Sequence, residues 1–257
     1  MRDGTASRTA QGVAAHRLDY DRVPAPYGDP AADEALNRDV AAGLYRAAGT
    51  SIHEYLRART SFFDRVVVTS LERGITQVVI GGAGYDGRAY RYAKPGVRWF
   101  ELDHPATQAD KRARLARLGL TGPHPVFAAA DFTSDPVAAT LRAAGLDPSV
   151  PSLFLLEGVA AYLELPVLAS VLTAFREVTV PGSPLAISIR SGTADPAARQ
   201  RFEQRVAEVG EPVRSSLLPE QADTLLTATG WQPADDGTRR SWAGLLLARA
   251  SMPDCPP

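Results

Sequence analysis

Cysteine is almost missing from this sequence: Cys255 is the only one, so an internal disulfide is excluded. No apolar run approaches the ~18 residues that a membrane span requires. The first residues, MRDGTASRTAQG, lack the apolar stretch of a secretory signal, which points to a cytoplasmic protein. An excess of one charge is missing too. The 28 basic and 29 acidic side chains leave a formal net charge of -1, so the chain carries no electrostatic footprint for nucleic acid and a small ligand is the expected partner. There is no internal repeat, no Cys/His cluster at metal-ligand spacing and no nucleophile elbow of the G-x-S-x-G type, so no metal is expected.

What is present is core material. With 45% hydrophobic residues in 257, and no compositional break that marks a linker, the chain reads as one α/β domain. Residues 1–15 are polar and small and read as a mobile tail that becomes ordered over a ligand. Leu36, Val40 and Leu44 recur every fourth residue in a helix over 33–48, Ile52, Tyr55 and Leu56 open a second, and Phe63, Val66, Val67 and Leu71 continue to a stop at Gly74. Apolar strands are predicted at 78–80, 98–102, 125–131, 152–158, 183–190 and 241–250. Helices are predicted at 106–118, with Lys111, Arg112, Arg114 and Arg117 on its wet side, from Pro166 onward, and at 219–229. This alternation implies a doubly wound, mostly parallel sheet covered on both faces, with an N-terminal helical lid. The parts are a lid (1–74), a ligand-binding core (75–190), an insertion over the active site (191–218) and a C-terminal helix and strand (219–257).

The stretch QVVIGGAGYDGRAYRYAKPGVRWFELD (77–103) organises the rest. Gly82, Gly84 and Gly87 follow a buried strand and Asp103 lies about 20 residues on, which satisfies a dinucleotide fingerprint. Two details oppose a nicotinamide or flavin dinucleotide. Asp86 stands inside the turn, where its charge would repel a pyrophosphate. The segment from Gly87 to the next strand, containing Pro95 and Gly96, leaves room for only about two helical turns. S-adenosylmethionine, with a ribose, an amino group, a sulfonium and no phosphate, removes the first conflict. Asp86, Asp103, Asp131 and Glu157 also fall at or just after the carboxyl ends of four predicted strands, where α/β sheets bind ligands.

The segments FFDRVV, QVVIGGAGYDGRAYR, FELDHP with Lys111 behind it, AAD and LLEGVAAYL, in this order, resemble the leucine carboxyl methyltransferase family, including its bacterial members from natural product biosynthesis. That resemblance implies a seven-stranded Rossmann-like methyltransferase sheet, S-adenosylmethionine as cofactor, S-adenosylhomocysteine as product, and O-methylation of a small molecule with a carboxylate favoured. It implies that Arg59 pairs with the methionine carboxylate and that Gly82, with Ala83, Gly84 and Asp86, forms the close-approach turn. Asp103 is implied to hold the ribose, Asp131 and Phe132 to flank the adenine, and Glu157 with Gly158 to face the methionine end. Two departures stand out. The family usually has threonine where Gly87 stands, a change expected to loosen the turn, and larger apolar residues where Val159, Ala160 and Ala161 stand, a change expected to widen the acceptor region.

A carboxylate acceptor with a pKa near 4 is already ionised at neutral pH and needs a cation to orient it rather than a base. Arg190, at the end of the fifth predicted strand, is the first candidate, with Arg88, Arg91 and Arg214 behind it. A phenol or alcohol acceptor would make a base such as His53 useful, and Tyr162 could line the pocket. A dinucleotide oxidoreductase and a cofactor-binding protein with a non-methylating reaction remain as rival readings. The chain is expected to act as a monomer or homodimer.

Overall fold

The apolar runs pair in one sheet whose two faces are sorted by the period-two alternation of strand side chains. The structure, a computed structural model, describes residues 6–42, 44, 50–120, 125–190, 213–234 and 244–252. Strands β1 (Gln77–Gly81), β2 (Arg98–Asp103), β3 (Val126–Ala129), β4 (Ser152–Leu156) and β5 (Pro184–Ser188) are parallel. β7 (Leu245–Ala250) runs antiparallel between β5 and β6 (Trp231–Pro233), giving the order β3-β2-β1-β4-β5-β7-β6. The mostly parallel sheet that the alternation predicts is therefore observed, with the seven strands that the family resemblance implies.

Val78, Ile80, Leu153, Leu155 and Ala186 point to one face, where Phe62, Phe63, Val67 and Leu71 of helix α3 (Thr50–Glu72) cover them. Val79, Phe154, Leu156, Leu185 and Ile187 point to the other, beneath α6 (Val137–Ala143), α7 (Leu165–Glu177) and α8 (Pro219–Ala228). Burying such side chains contributes about 1.5–3 kcal/mol each, which is why β1, β4 and β5 are apolar at nearly every position rather than alternating.

The amino-terminal part differs from the sequence reading. Helix α1 (Arg8–Arg17) occupies most of the segment read as a tail, capped by Ser7, whose Oγ accepts from the Ala10 N–H at 3.1 Å. Its inward stripe is Ala10 and Ala14, set against Leu36, Val40 and Tyr85, and alanines carry little weight in a search for apolar periodicity. Helix α2 (Pro30–Ala41) starts earlier than predicted because Asp29 caps it and Pro30 fits its first position. The next two predicted helical pieces are one continuous helix, α3.

Beyond β1, α4 (Arg88–Arg91) is a single turn, shorter than the two turns allowed for it. In α5 (Pro105–Arg117) Lys111 is buried, not wet: its ammonium meets Glu101 of β2 at 2.5 Å, and Thr107, Gln108 and Leu115 share its inward face. Burial pushes the Glu101 carboxyl up to about 7 even with Lys111 beside it. Helix α6 and strand β6 were not predicted. β6 is only three residues long and is fixed by Trp231, which is fully buried and donates its indole N–H to the Leu172 carbonyl at 2.9 Å. Most of the predicted insertion, and 241–243 of the last predicted strand, lie outside the described residues. No helix among those described is long and apolar enough to cross a membrane.

Candidate active site

Strands β2 and β4 flank β1 on opposite sides, so the chain departs from the sheet centre in two directions and leaves a crevice at the carboxyl ends. A cavity of about 480 Å³ fills that crevice, within the ~300–1,000 Å³ of small-molecule sites. Its floor is the turn Gly82–Ala83–Gly84 and its walls are Asp103 with His104, the segment 130–133 and the segment 157–159. Ala10, Val13 and Arg17 of α1 form the roof. Gly82 has φ +64°, and a Cβ there would stand 2.2 Å from Cγ2 of Val159, so no side chain fits.

Asp103 accepts hydrogen bonds from the Gly84 N–H and, at 2.6 Å, from the His104 N–H, tying the glycine turn to the end of β2. Burial raises its carboxyl pKa, against the lowering effect of those two donors. Asp131 accepts from the Thr133 N–H at 2.9 Å and hydroxyl at 2.7 Å, and these bonds hold its carboxyl below the ordinary range. Phe132 lines the cavity beside it.

The opposite wall carries charge of both signs. Glu157 accepts from Arg59 Nε at 3.0 Å, Arg88 at 2.6 Å and Arg17 at 3.2 Å. Burial works against its ionisation, but Arg88, Arg17 and Arg59 outweigh it and hold the carboxyl well below the usual carboxylate range. Gly158, at φ +71°, lets the Arg59 guanidinium lie against the backbone, since a Cβ there would be 3.0 Å from a guanidinium nitrogen. Arg59 also stands over the Tyr55 ring, 5.6 Å from its centroid.

Asp86 is not in the cavity lining. Its carboxylate accepts from the Arg88 N–H at 2.8 Å and from the Arg88 and Arg17 side chains, and its carbonyl accepts from Lys111 Nζ at 2.7 Å. Two arginines neutralise the charge, so the argument that Asp86 repels a pyrophosphate does not hold. The single-turn α4 is what counts against a dinucleotide, because it presents no full helix terminus to a phosphate. Gly87 does not loosen the turn either. Asp33, fully buried and bonded by Arg22, Arg91 and Asn37, occupies the place a Cβ would take.

At the outer end the cavity is lined by Val159, Tyr162, Leu163, Glu164 and Arg214. Arg214 donates its backbone N–H to the Ala161 carbonyl at 2.8 Å, and its side chain meets Glu164 at 2.8 Å. Of the three small residues thought to widen this region, only Val159 faces the cavity, while Ala160 is buried in the core. Arg190 lies outside the lining, its carbonyl accepting from the Leu217 N–H at 3.0 Å. His53 is outside it too, packed edge-on against Tyr20 and His16. The sequence reading set residues 1–15 over the ligand but named none of Ala10, Val13 and Arg17 as site residues.

This sheet order, with its crevice at the carboxyl ends of the parallel strands, is a Rossmann-like fold shared with methyltransferases. The solved structure of a "putative methyltransferase" from Thermobifida fusca YX matches with a TM-score of 0.66 at 20% identity, covering 98% of this chain and 97% of that one. Magnesium protoporphyrin IX methyltransferase from Synechocystis PCC 6803 with bound SAH matches with a TM-score of 0.53 at 13% identity, covering 80% and 90%. At these identities the likeness is one of fold. Within that fold, residues 6–175 match the leucine carboxyl methyltransferase family, and the chain belongs to that family. The match begins at residue 6 and so includes α1.

Two relatives, each named "putative S-adenosyl-L-methionine-dependent methyltransferase", come from Parafrankia sp. (strain EAN1pec) and Mycobacterium avium (strain 104). The first is 38% identical over 60% of this chain and the second 33% identical over 71%. The chain spans 50% and 59% of their respective lengths.

Proposed function

We propose that this protein is an S-adenosylmethionine-dependent O-methyltransferase whose acceptor is the carboxylate of a small molecule. The observation that carries the cofactor is the Arg59–Glu157 pair, one cation and one anion 3.0 Å apart on the same cavity wall. An α-amino acid terminus carries both charges, and this pair complements it. Asp103 accepts from the ribose hydroxyls, Asp131 and Phe132 stand beside the adenine, and the Cβ-free turn at Gly82 gives close approach. Family membership and the names of the relatives point to the same cofactor.

When bound, S-adenosylmethionine supplies an electrophilic methyl group. The chain's contribution is orientation, for which effective molarities of ~10⁵ M or more are available. An ionised acceptor requires no base, and Arg214 at the outer end supplies the orienting cation. Its pair with Glu164 leaves the two side chains 47% and 60% exposed. Such a pair is worth only about 0–1 kcal/mol, so an incoming carboxylate displaces Glu164 at little cost, with Tyr162 beside it. Arg190 and His53 take no part in this reading.

The test is incubation with methyl-labelled S-adenosylmethionine and a panel of small carboxylic acids and phenols, then mass analysis and alkaline hydrolysis. Label is expected in alkali-labile esters. Arg214→Gln is expected to lower kcat/KM for the acid about tenfold, or ~1.4 kcal/mol, without changing S-adenosylhomocysteine affinity. Label in alkali-stable ethers would replace the carboxylate by a hydroxyl, and cofactor binding without transfer to any acceptor would favour a non-methylating role.

A further inference from the structure

The sequence offers no metal-ligand spacing, yet the fold brings together two imidazoles and a carboxylate that are far apart in the chain. His16 closes α1, Asp19 follows one turn later with its N–H bonded to the His16 carbonyl at 3.1 Å, and His53 stands in the first turn of α3. One donor atom from each lies within 4.8 Å of the other two. We propose that His16, Asp19 and His53 bind a divalent first-row transition metal, Zn²⁺ by preference, that clamps α1 onto α3.

The donor set selects the ion, since imidazole suits zinc, nickel and copper whereas magnesium and calcium take oxygen ligands. Three protein ligands with a remaining open position match zinc bonds of about 2.0–2.2 Å, which place donors roughly 3.4 Å apart. The three donors stand within 4.8 Å of one another, so closing on an ion draws the exposed Asp19 carboxylate and the two imidazoles inward by side-chain rotation. The supporting shell is built. Tyr20 packs its ring 4.9 Å from that of His53 and donates its hydroxyl to the His53 carbonyl at 3.2 Å, holding the start of α3 against the residues that follow α1. Both histidines are half-buried, and the exposed Asp19 marks the route of entry.

None of the three ligands lines the cavity, so the ion would act on the roof and not on the reacting atoms. Arg17, next to His16, bonds Glu157 and Asp86, and Val13 and Ala10 lie one and two turns earlier in the same helix. An ion that ties α1 to α3 therefore favours the closed roof. By linkage, ion and cofactor raise each other's affinity by the same factor.

The experiment uses the full chain with any affinity tag removed and trace metal stripped by chelator. Zn²⁺ is titrated by calorimetry and Co²⁺ by visible absorption. One equivalent is expected to bind, with the d–d bands of a four-coordinate Co²⁺ site. His16→Ala and His53→Ala are expected to weaken binding at least ~100-fold, beyond the roughly 10–100-fold typical of a supporting partner. Saturating Zn²⁺ is expected to tighten S-adenosylhomocysteine binding at least about fivefold in the parent chain and not in the variants. Melting curves in chelator establish that each variant folds, and the exposed Asp19→Ala carries the test if a histidine variant does not. Substoichiometric binding, or equal affinity in parent and variants, would overturn the site. Binding without any change in cofactor affinity would overturn the clamp. None of these readouts depends on methyl transfer, so a failure here is distinct from a failure of the proposed activity.

Discussion

Threonine in place of Gly87, the residue usual in the family at this position, is expected to destabilise this chain, and the structure sets the size of the effect. Gly87 has φ −100°, a conformation open to any residue, so the substitution tests space and not backbone strain. The new Cβ would lie 1.9 Å from Oδ1, 2.6 Å from Cγ and 2.9 Å from Cβ of Asp33. Asp33 cannot withdraw without cost, because Arg22 meets it at 3.0 Å, Arg91 at 2.5 Å and Asn37 at 2.8 Å in a fully buried setting. Overpacking costs about 1–3 kcal/mol, whereas breaking a buried ion pair costs about 3–5 kcal/mol. The molecule takes the cheaper course, so about 1–3 kcal/mol is expected. At ~2–4 °C per kcal/mol for a domain of this size, Tm should fall by roughly 2–12 °C. Urea and thermal unfolding followed by circular dichroism measure it. Asp33→Ala removes the two nearest of these atoms, and the double variant should show a coupling of more than about 0.5 kcal/mol. A Gly87→Thr chain within about 0.5 kcal/mol of the parent, or strict additivity with Asp33→Ala, would refute the reasoning.

Gly12 provides the opposite case. A Cβ there meets nothing within 4 Å, so Gly12→Ala should stabilise α1 by about 0.5–1 kcal/mol, read as a higher urea midpoint. Asp103→Asn should weaken S-adenosylhomocysteine binding by about 2–3 kcal/mol, roughly 30–150-fold, the cost of losing charge-assisted bonds. Calorimetry showing a change of less than about twofold would remove Asp103 from the ribose. Acid stability should depend on Asp64. Burial opposes its ionisation, yet Arg88 and Arg22 prevail and bring its carboxyl from 3.8 to about 2. A depressed carboxyl contributes stability above its unfolded pKa and loses it as pH falls through the folded value. About 2 kcal/mol should therefore disappear between roughly pH 4 and pH 2, and Asp64→Asn should flatten that part of the stability profile.

The sheet was readable in the chain because strands buried on both faces must be apolar throughout, and glycines and carboxylates stood where those runs ended. Helix α1 was not readable, since an alanine stripe and a polar remainder look like a tail until Leu36, Val40 and Tyr85 are seen against it. The reading of Asp86 failed for a related reason. Its position in the turn was clear, but the direction of its side chain depends on Arg17, 69 residues earlier, and on Arg88.

Sequence by itself determined the family, the alternation of the parallel strands with helices, and the acids at the strand ends, because hydrophobic period and turn chemistry are local properties. Tertiary structure alone decided which charges face the cavity and which neutralise one another. It joined Arg59 to Glu157 across 98 residues, placed Asp33 in the space that Gly87 leaves, and brought His53 to His16. These are pairings between elements, and local patterns carry no information about which distant partner a buried charge will meet.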